Sequence, residues 1–332
     1  MDGPSRDAEH EPTSVPSSSE LIRSPGGTLR SQLRSIFRAG PAEPSQRIFS
    51  MAAPFNLYLH DTQADLYIDT IRDPVFRRAI YDPLLHTIQT NASSLVPPPG
   101  LDVDFIDLGP GFPDKSLPLV ELVATTARSI RYIPVDISRR FLDITASFFR
   151  DRHLAVHPLH LLFEELPSRL QDAAEYPPNR FRLFNLGLTF DNYPPSEILY
   201  LLGALLNSDS QAIIASALIG PDPETVLAPY KSAKARQFNF LVLEYAGLRE
   251  EDFSYEVFLV DSAIHMGFRA KANVDIGQGT CIRAGDAIIT SISFRYALQE
   301  LKNLLTPAFA CTFFPSTSMQ VCVARLQKGA QA

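Results

Sequence analysis

The stretch Phe105-Ile-Asp-Leu-Gly-Pro-Gly-Phe-Pro-Asp-Lys-Ser116 carries residue types that can hold a ligand by the backbone. An apolar run feeds Gly109 and Gly111, which let a ligand approach the main chain closely, and the helix expected next offers free amide donors. Asp114 stands where a dinucleotide fingerprint has its third glycine and where a P-loop has the glycine before its lysine. Neither a dinucleotide nor a nucleoside triphosphate site is therefore expected. A second apolar run, Tyr132-Ile-Pro-Val-Asp136, ends in a carboxylate. At the carboxyl edge of a doubly wound sheet such a group can accept both hydroxyls of a ribose. A helix N-cap near Ser138 is the competing role. A glycine turn and an acidic strand end without pyrophosphate chemistry suit a nucleoside cofactor, of which S-adenosylmethionine is the common one.

Other chemistry-bearing residues point nowhere in particular. His153, His157 and His160 have the spacing of one helix face, but they lie across an expected strand start, where alternation sends His157 and His160 to opposite faces. No metal site is expected. Cys281, Cys311 and Cys322 are far apart and form no Cys-x-x-Cys pair, which argues against a disulfide scaffold or a thiolate zinc site. No Gly-x-Ser-x-Gly elbow is present.

The elements that must position the glycine turn and Asp136 can be read from hydrophobic rhythm. Strands rich in Val, Ile and Phe are expected at Val103 to Leu108, Ser129 to Val135, Leu154 to Leu161, Phe181 to Leu186 and Ala212 to Ala217. Helices are expected between them, at Lys115 to Ala127, Ser138 to Arg150 and Ser196 to Leu206. This β-α-β-α order predicts an α/β fold, a doubly wound, mostly parallel sheet, over residues 91–220. Residues 51–90 show helical spacing broken near Asp73-Pro74 and are expected to serve a second, smaller α+β domain. Its main part, residues 221–295, should hold a long helix from Glu224 to Tyr245 and strands around Tyr255 to Val260, Ile264 to Val274 and Asp286 to Phe294. Residues 296–332 should return to the first sheet as an antiparallel ending. The first fifty residues, rich in Ser, Pro, Arg and Glu, read as a disordered tail or a non-native extension.

Composition narrows the partners. With 332 residues, 45% of them hydrophobic, the chain can bury a substantial core. Thirty Lys+Arg against 37 Asp+Glu leave a net charge of −7, the wrong sign for a nucleic-acid binder. No apolar run is long enough to span a bilayer, and no signal-peptide pattern follows Met1, so a soluble, cytoplasmic protein is expected.

Leu108-Gly-Pro-Gly-Phe-Pro-Asp-Lys115 together with Tyr132-Ile-Pro-Val-Asp-Ile-Ser138 resembles the histidine-specific, S-adenosylmethionine-dependent methyltransferase family of ergothioneine biosynthesis. The resemblance runs from about Phe55 to the C-terminus. It extends to Leu186-Gly-Leu-Thr-Phe-Asp-Asn-Tyr193, Asp261-Ser-Ala-Ile-His-Met266 and Thr290-Ser-Ile-Ser-Phe-Arg295. It implies a Rossmann-like class I methyltransferase sheet, with Gly109, Gly111, Lys115, Asp136 and Gly187 around the cofactor. It further implies that Asn192 and Tyr230 grip the amino and carboxylate groups of an amino-acid substrate, and that Met266, Ser291 and Ser293 line its side-chain pocket. Met266 as plain core and Asn192 as a turn residue are the alternatives.

Departures from the family redirect the expectation. Ser291 stands where the family sets a glutamate against the histidine imidazole, so a charge-assisted hydrogen bond is missing. His60 replaces an aromatic tyrosine and could accept a proton, and Leu162 replaces the aspartate usually found near adenine. The expected function is thus N-methylation of an amino acid or small amine other than histidine, in specialised (secondary-metabolite) biosynthesis. One alternative keeps the cofactor but cyclises its own aminocarboxypropyl arm, giving azetidine-2-carboxylate and methylthioadenosine. The other is a non-catalytic binding protein on a degenerate methyltransferase fold.

Overall fold

A computed structural model describes residues 18–39, 47–220 and 222–329. The described residues open with α1 (Ser18–Arg23), α2 (Pro25–Ala39) and the short strand β1 (Ile48–Ser50). Then come α3 (Asp61–Ile71), a turn α4 (Pro74–Phe76), a π-helical turn Arg77–Tyr81 and α5 (Asp82–Leu95). The alternating section follows as β2 (Asp102–Leu108), α6 (Leu117–Thr126), β3 (Ser129–Asp136), α7 (Arg139–Arg150), β4 (Ala155–Val156), β5 (Leu159–His160), α8 (Leu166–Arg169), β6 (Phe181–Gly187), α9 (Pro195–Leu205) and β7 (Ser210–Ala217). Beyond it lie α10 (Pro223–Leu227), α11 (Ala233–Tyr245), β8 (Phe253–Val260), β9 (Ala263–Ala270), β10 (Val274–Gly277), β11 (Thr280–Ile282) and β12 (Ala287–Phe294). The chain ends in α12 (Leu298–Leu305), β13 (Phe309–Pro315) and β14 (Val321–Lys328).

The larger sheet has the order β13-β14-β7-β6-β2-β3-β4, with β5 also paired to β3. From β7 to β4 it is parallel, and β13 and β14 close it antiparallel. This is the expected doubly wound α/β sheet. Its inner strands are nearly continuous apolar runs because helices cover both faces: α5 and α6 on one side, α9 and α12 on the other. The smaller sheet is β1-β12-β9-β8, antiparallel except for the β1–β12 pair. Residues 51–90 pack against both sheets: Leu57 joins the core of the smaller one, whereas Ile71 through Ile88 join that of the larger.

Three expectations need correction. Residues 18–39, expected as part of a disordered tail, form α1 and α2 and bury Leu21, Leu29 and Leu33 completely. Their apolar residues are few but fall on one helical face, so burial of a stripe suffices where average composition argues against order. The expected strand Leu154 to Leu161 is two separate two-residue pairings, because Pro158 has no N–H to give β3. The expected helix Glu224 to Tyr245 is interrupted at Ala228–Lys231, where Pro229 breaks the ladder and Ser232 turns extended to cap the Ala235 N–H at 3.1 Å. Pro221, at the boundary between residues 91–220 and 221–295, lies outside the described residues. Among the described residues, no helix is long and apolar enough to cross a membrane.

Candidate active site

A cavity open to solvent lies between the carboxyl ends of β2, β3 and β6 and the face of β9 and β12. Gly109, Gly111, Lys115, Asp136, Asn192, Tyr230, Met266, Ser291 and Ser293 all line it. Gly187 sits just behind, and His60 does not reach it.

The glycine turn is built as a backbone cradle. Gly109 and Gly111 have φ of +67° and +55°, a region that side chains disfavour, and a Cβ on Gly109 would lie 2.5 Å from Thr189 Oγ1. Lys115 folds back beneath the turn and donates from Nζ to the Gly109 carbonyl at 2.8 Å. Gly187, whose φ is +49°, lies beside the same lysine, and a Cβ there would meet Nζ at an ordinary contact distance of 3.6 Å, so it is the backbone conformation that favours glycine. Under the loop Asp107 is fully buried and takes hydrogen bonds from Ser116 Oγ (2.6 Å), Tyr132 OH (2.6 Å) and Asn185 Nδ2 (2.8 Å). Four polar side chains thus lock β2, β3, β6 and the start of α6 in register.

Asp136 ends β3 with only 5% of its surface exposed. Its Oδ1 accepts the Ser138 N–H at 2.8 Å, while the N-cap of α7 is Ser138 itself, so the N-cap alternative does not describe the carboxylate. Burial pushes the Asp136 carboxyl up to about 7, against the opposing pull of the Ser138 amide and Lys115. Burial also lowers the Lys115 ammonium, while Asp107, Asp136 and Asp114 act the other way. A buried carboxylate beside a side-chain-free cradle fits a nucleoside cofactor with vicinal hydroxyls.

Aromatic and apolar side chains dominate the opposite half of the cavity. The π-helical turn points Ile80 and Tyr81 inward next to Phe76, and the Tyr81 hydroxyl donates to Asp114, tying this turn to the glycine loop. A bulge in β12 between Ile289 and Ser291 brings both Thr290 and Ser291 into the interior. Both hydroxyls donate to Asn239 Oδ1, and Asn239 Nδ2 donates to the Ala235 carbonyl at 2.9 Å and approaches Met266 Sδ at 3.8 Å. Ser291 is therefore already committed, and Met266 is a pocket wall held by an amide. Ser293 lines the cavity one residue pair further along β12.

Asn192 and Tyr230 flank a buried ion pair that the sequence did not suggest. Arg295 donates from Nη1 to Asp191 Oδ2 at 2.8 Å and from Nη2 to the Tyr230 hydroxyl. Asp191 also accepts the Ala217 N–H at 2.8 Å, and burial pushes its carboxyl up to about 6 against the opposing Arg295 charge. The pair joins the loop after β6 to the end of β12, which fixes Asn192 and Tyr230 relative to each other. A sequence signal existed, namely an aspartate and an arginine inside otherwise apolar or hydroxyl motifs, but nothing in it pairs them.

His60 is a correction. It occupies the N-cap of α3, and its ring stacks on Tyr245 with centroids 3.4 Å apart. That stacking on Tyr245, the last residue of α11, holds the ring away from the cavity, whose lining does not include it. Burial lowers its pKa. Of the three histidines weighed for zinc, His160 hydrogen-bonds the Ile137 carbonyl through Nε2 at 2.8 Å. Among the described residues no group of three or more potential ligands could hold a metal.

Residues 84–312 match the model of one protein family, described as "Histidine-specific methyltransferase, SAM-dependent". No curated protein matches the sequence. Solved structures with a similar course include an S-adenosylmethionine-dependent methyltransferase from Clostridium acetobutylicum ATCC 824, at 14% identity over 81% of this chain and 99% of that one, with a TM-score of 0.40. Another is the PH0226 protein from Pyrococcus horikoshii OT3, at 11% identity over 75% and 92%, with a TM-score of 0.42. A third is the CurJ carbon methyltransferase, at 15% identity over 94% and 70%, with a TM-score of 0.43.

Proposed function

The chain belongs to the histidine-specific, S-adenosylmethionine-dependent methyltransferase family, and from that premise we propose that it methylates the nitrogen of an amino acid or small amine other than histidine. S-adenosylmethionine is the cofactor, and its sulfonium supplies an electrophilic methyl group. Gly109 and Gly111 offer their backbone to it, Asp136 accepts its ribose hydroxyls, and Lys115 and Gly187 shape the channel between them.

The protein's own work is then orientation. Asn192 and Tyr230, braced by Asp191 and Arg295, hold the amino and carboxylate ends of the acceptor, while Met266, Ser291 and Ser293 bound its side chain. Fixing a nucleophile in line in this way can supply roughly 7–11 kcal/mol of the barrier. The nitrogen must arrive neutral. The cavity opens to solvent, so an ammonium can lose its proton to water before it docks.

The observation that carries this reading is the state of Ser291. Where the family has a carboxylate for imidazole, the hydroxyl here is engaged with Asn239, and the surrounding wall is Met266 and aromatic rings. That pocket suits an uncharged or apolar side chain. Incubation of the purified protein with S-adenosylmethionine and a panel of amino acids and amines should give S-adenosylhomocysteine with an acceptor other than histidine. Histidine as the best acceptor would overturn the reading. Prompt methylthioadenosine without any acceptor would replace it with the cyclising reaction.

A further inference from the structure

The N-terminal helix α1 sits against the same cavity from behind. Leu21 is fully buried and forms one apolar cluster with Phe55, Ile137 and Leu162, to which Ala53, Tyr58 and Leu59 add partly buried surface. Phe55, Ile137 and Leu162 line the cavity, and Leu21 does not. The start of α1 is pinned to the same region: Ser18 donates from its backbone N to Glu165 Oε1 at 2.9 Å and from its Oγ to Oε2 at 2.6 Å. Glu165 closes the short turn Phe163–Glu165 that begins directly after Leu162.

The topology says what this wall faces. β3 lies between β2, which carries the glycine turn, and β5, which leads into Leu161, Leu162 and Phe163. With Asp136 holding the ribose and the glycine turn facing the methyl-donating arm, the base would lie on the β5 side, against Ile137 and Leu162. The charged side chains lining the cavity, among the described residues, are Lys115, Asp136, Asp191 and Arg295, and none of the four belongs to the apolar wall of Phe55, Ile137 and Leu162. That wall would meet the base with apolar side chains and no carboxylate.

We propose that α1 is a structural part of the nucleobase subsite, with Leu21 as the positioning residue that presses Phe55, Ile137 and Leu162 against the adenine. This rests on Asp136 holding the ribose. Loss of α1 packing should loosen that wall and weaken every ligand that carries the base, without moving the acceptor half of the site.

The test compares Leu21→Ala with the wild-type full chain by calorimetry, using S-adenosylhomocysteine and methylthioadenosine. Removing three buried carbons behind the wall should raise both dissociation constants about tenfold. KM for S-adenosylmethionine should rise likewise, while kcat and the acceptor KM stay within about twofold, and Leu21→Met should restore affinity because it conserves volume. If Leu21→Ala fails to fold, Ser18→Ala removes only a hydroxyl and should still raise both constants about threefold. Unchanged dissociation constants in the folded variants overturn the proposal, as does a drop in kcat with affinity intact. Asp136→Asn separates the two premises: if it leaves affinity unchanged, the ribose placement fails, and if it weakens binding while Leu21→Ala does not, only the role of α1 fails.

Discussion

Cofactor affinity should fall steeply as the pH drops below 7, because Asp136 can accept two ribose hydroxyls only as a carboxylate. Burial holds this carboxyl at about 7 in the free protein, with the Ser138 and Ile137 amides and Lys115 pulling it down and Asp107 pushing it up. Tyr67 nearby is pushed up to about 12 by burial and stays protonated throughout. If the carboxylate form alone binds, the apparent Kd rises about tenfold at pH 6 and about thirtyfold at pH 5.5 relative to the alkaline plateau. Calorimetric titration with S-adenosylhomocysteine should show this slope and, in buffers of different ionisation enthalpy, nearly one proton released per ligand at pH 6. The stability of the free protein moves the other way. A carboxyl raised from its ordinary 3.8 to about 7 stabilises the fold below pH 4, and this contribution, about 4 kcal/mol at most, is lost as the pH rises through 7. Ligand-induced stabilisation should therefore grow with pH. Asp136→Asn should flatten the slope and cost about 1.5–3 kcal/mol per lost charge-assisted bond. A flat wild-type profile refutes the reasoning. So does a slope that survives in Asp136→Asn, which would assign the titration to Asp191, held at about 6.

Further perturbations bear on the cradle, the brace and the acceptor grip. Gly109→Ala places a side chain at φ +67° and against Thr189, so it should cost about 1–2 kcal/mol in urea unfolding and abolish thermal stabilisation by S-adenosylhomocysteine. Arg295→Met strands Asp191 in the interior and should destabilise by about 3–5 kcal/mol, with much of the loss recovered in the double variant Asp191→Asn with Arg295→Met. Asn192→Ala should lower kcat/KM for the acceptor about 10- to 100-fold while the Kd for S-adenosylhomocysteine stays unchanged.

The larger sheet and the glycine turn were legible because their signals are local. A strand is an unbroken apolar run when both faces are covered, and Gly109, Gly111 and Asp136 sit at fixed offsets from the ends of such runs. The membership of Ser291 and Met266 in one pocket was legible only through resemblance, since β9 and β12 meet by pairing at a distance. Asn239 escaped notice because an amide on an apolar helix face announces nothing until the bulge in β12 brings Thr290 and Ser291 to it. The Asp191–Arg295 pair escaped for the same reason. His60 was misplaced because its identity suggested chemistry, whereas its position at a helix start and its stacking on Tyr245 decide where it points. α1 and α2 were missed because a narrow buried stripe is invisible to average composition.

The place of β14 in the larger sheet has a consequence for how the protein is made. β7 is buried along its whole length, yet its outer neighbour, β14, follows it by more than a hundred residues and comes last in sequence among the described strands. During synthesis the glycine turn, Asp136 and the loop after β6 can all assemble while β7 still presents a bare apolar edge, and the whole smaller sheet is translated before residues 321–328 emerge to cover it. Such an edge is a template for pairing with other chains. Loss of β14 should therefore yield aggregates rather than a folded protein lacking one strand, and recombinant yield should improve when a holding chaperone is supplied.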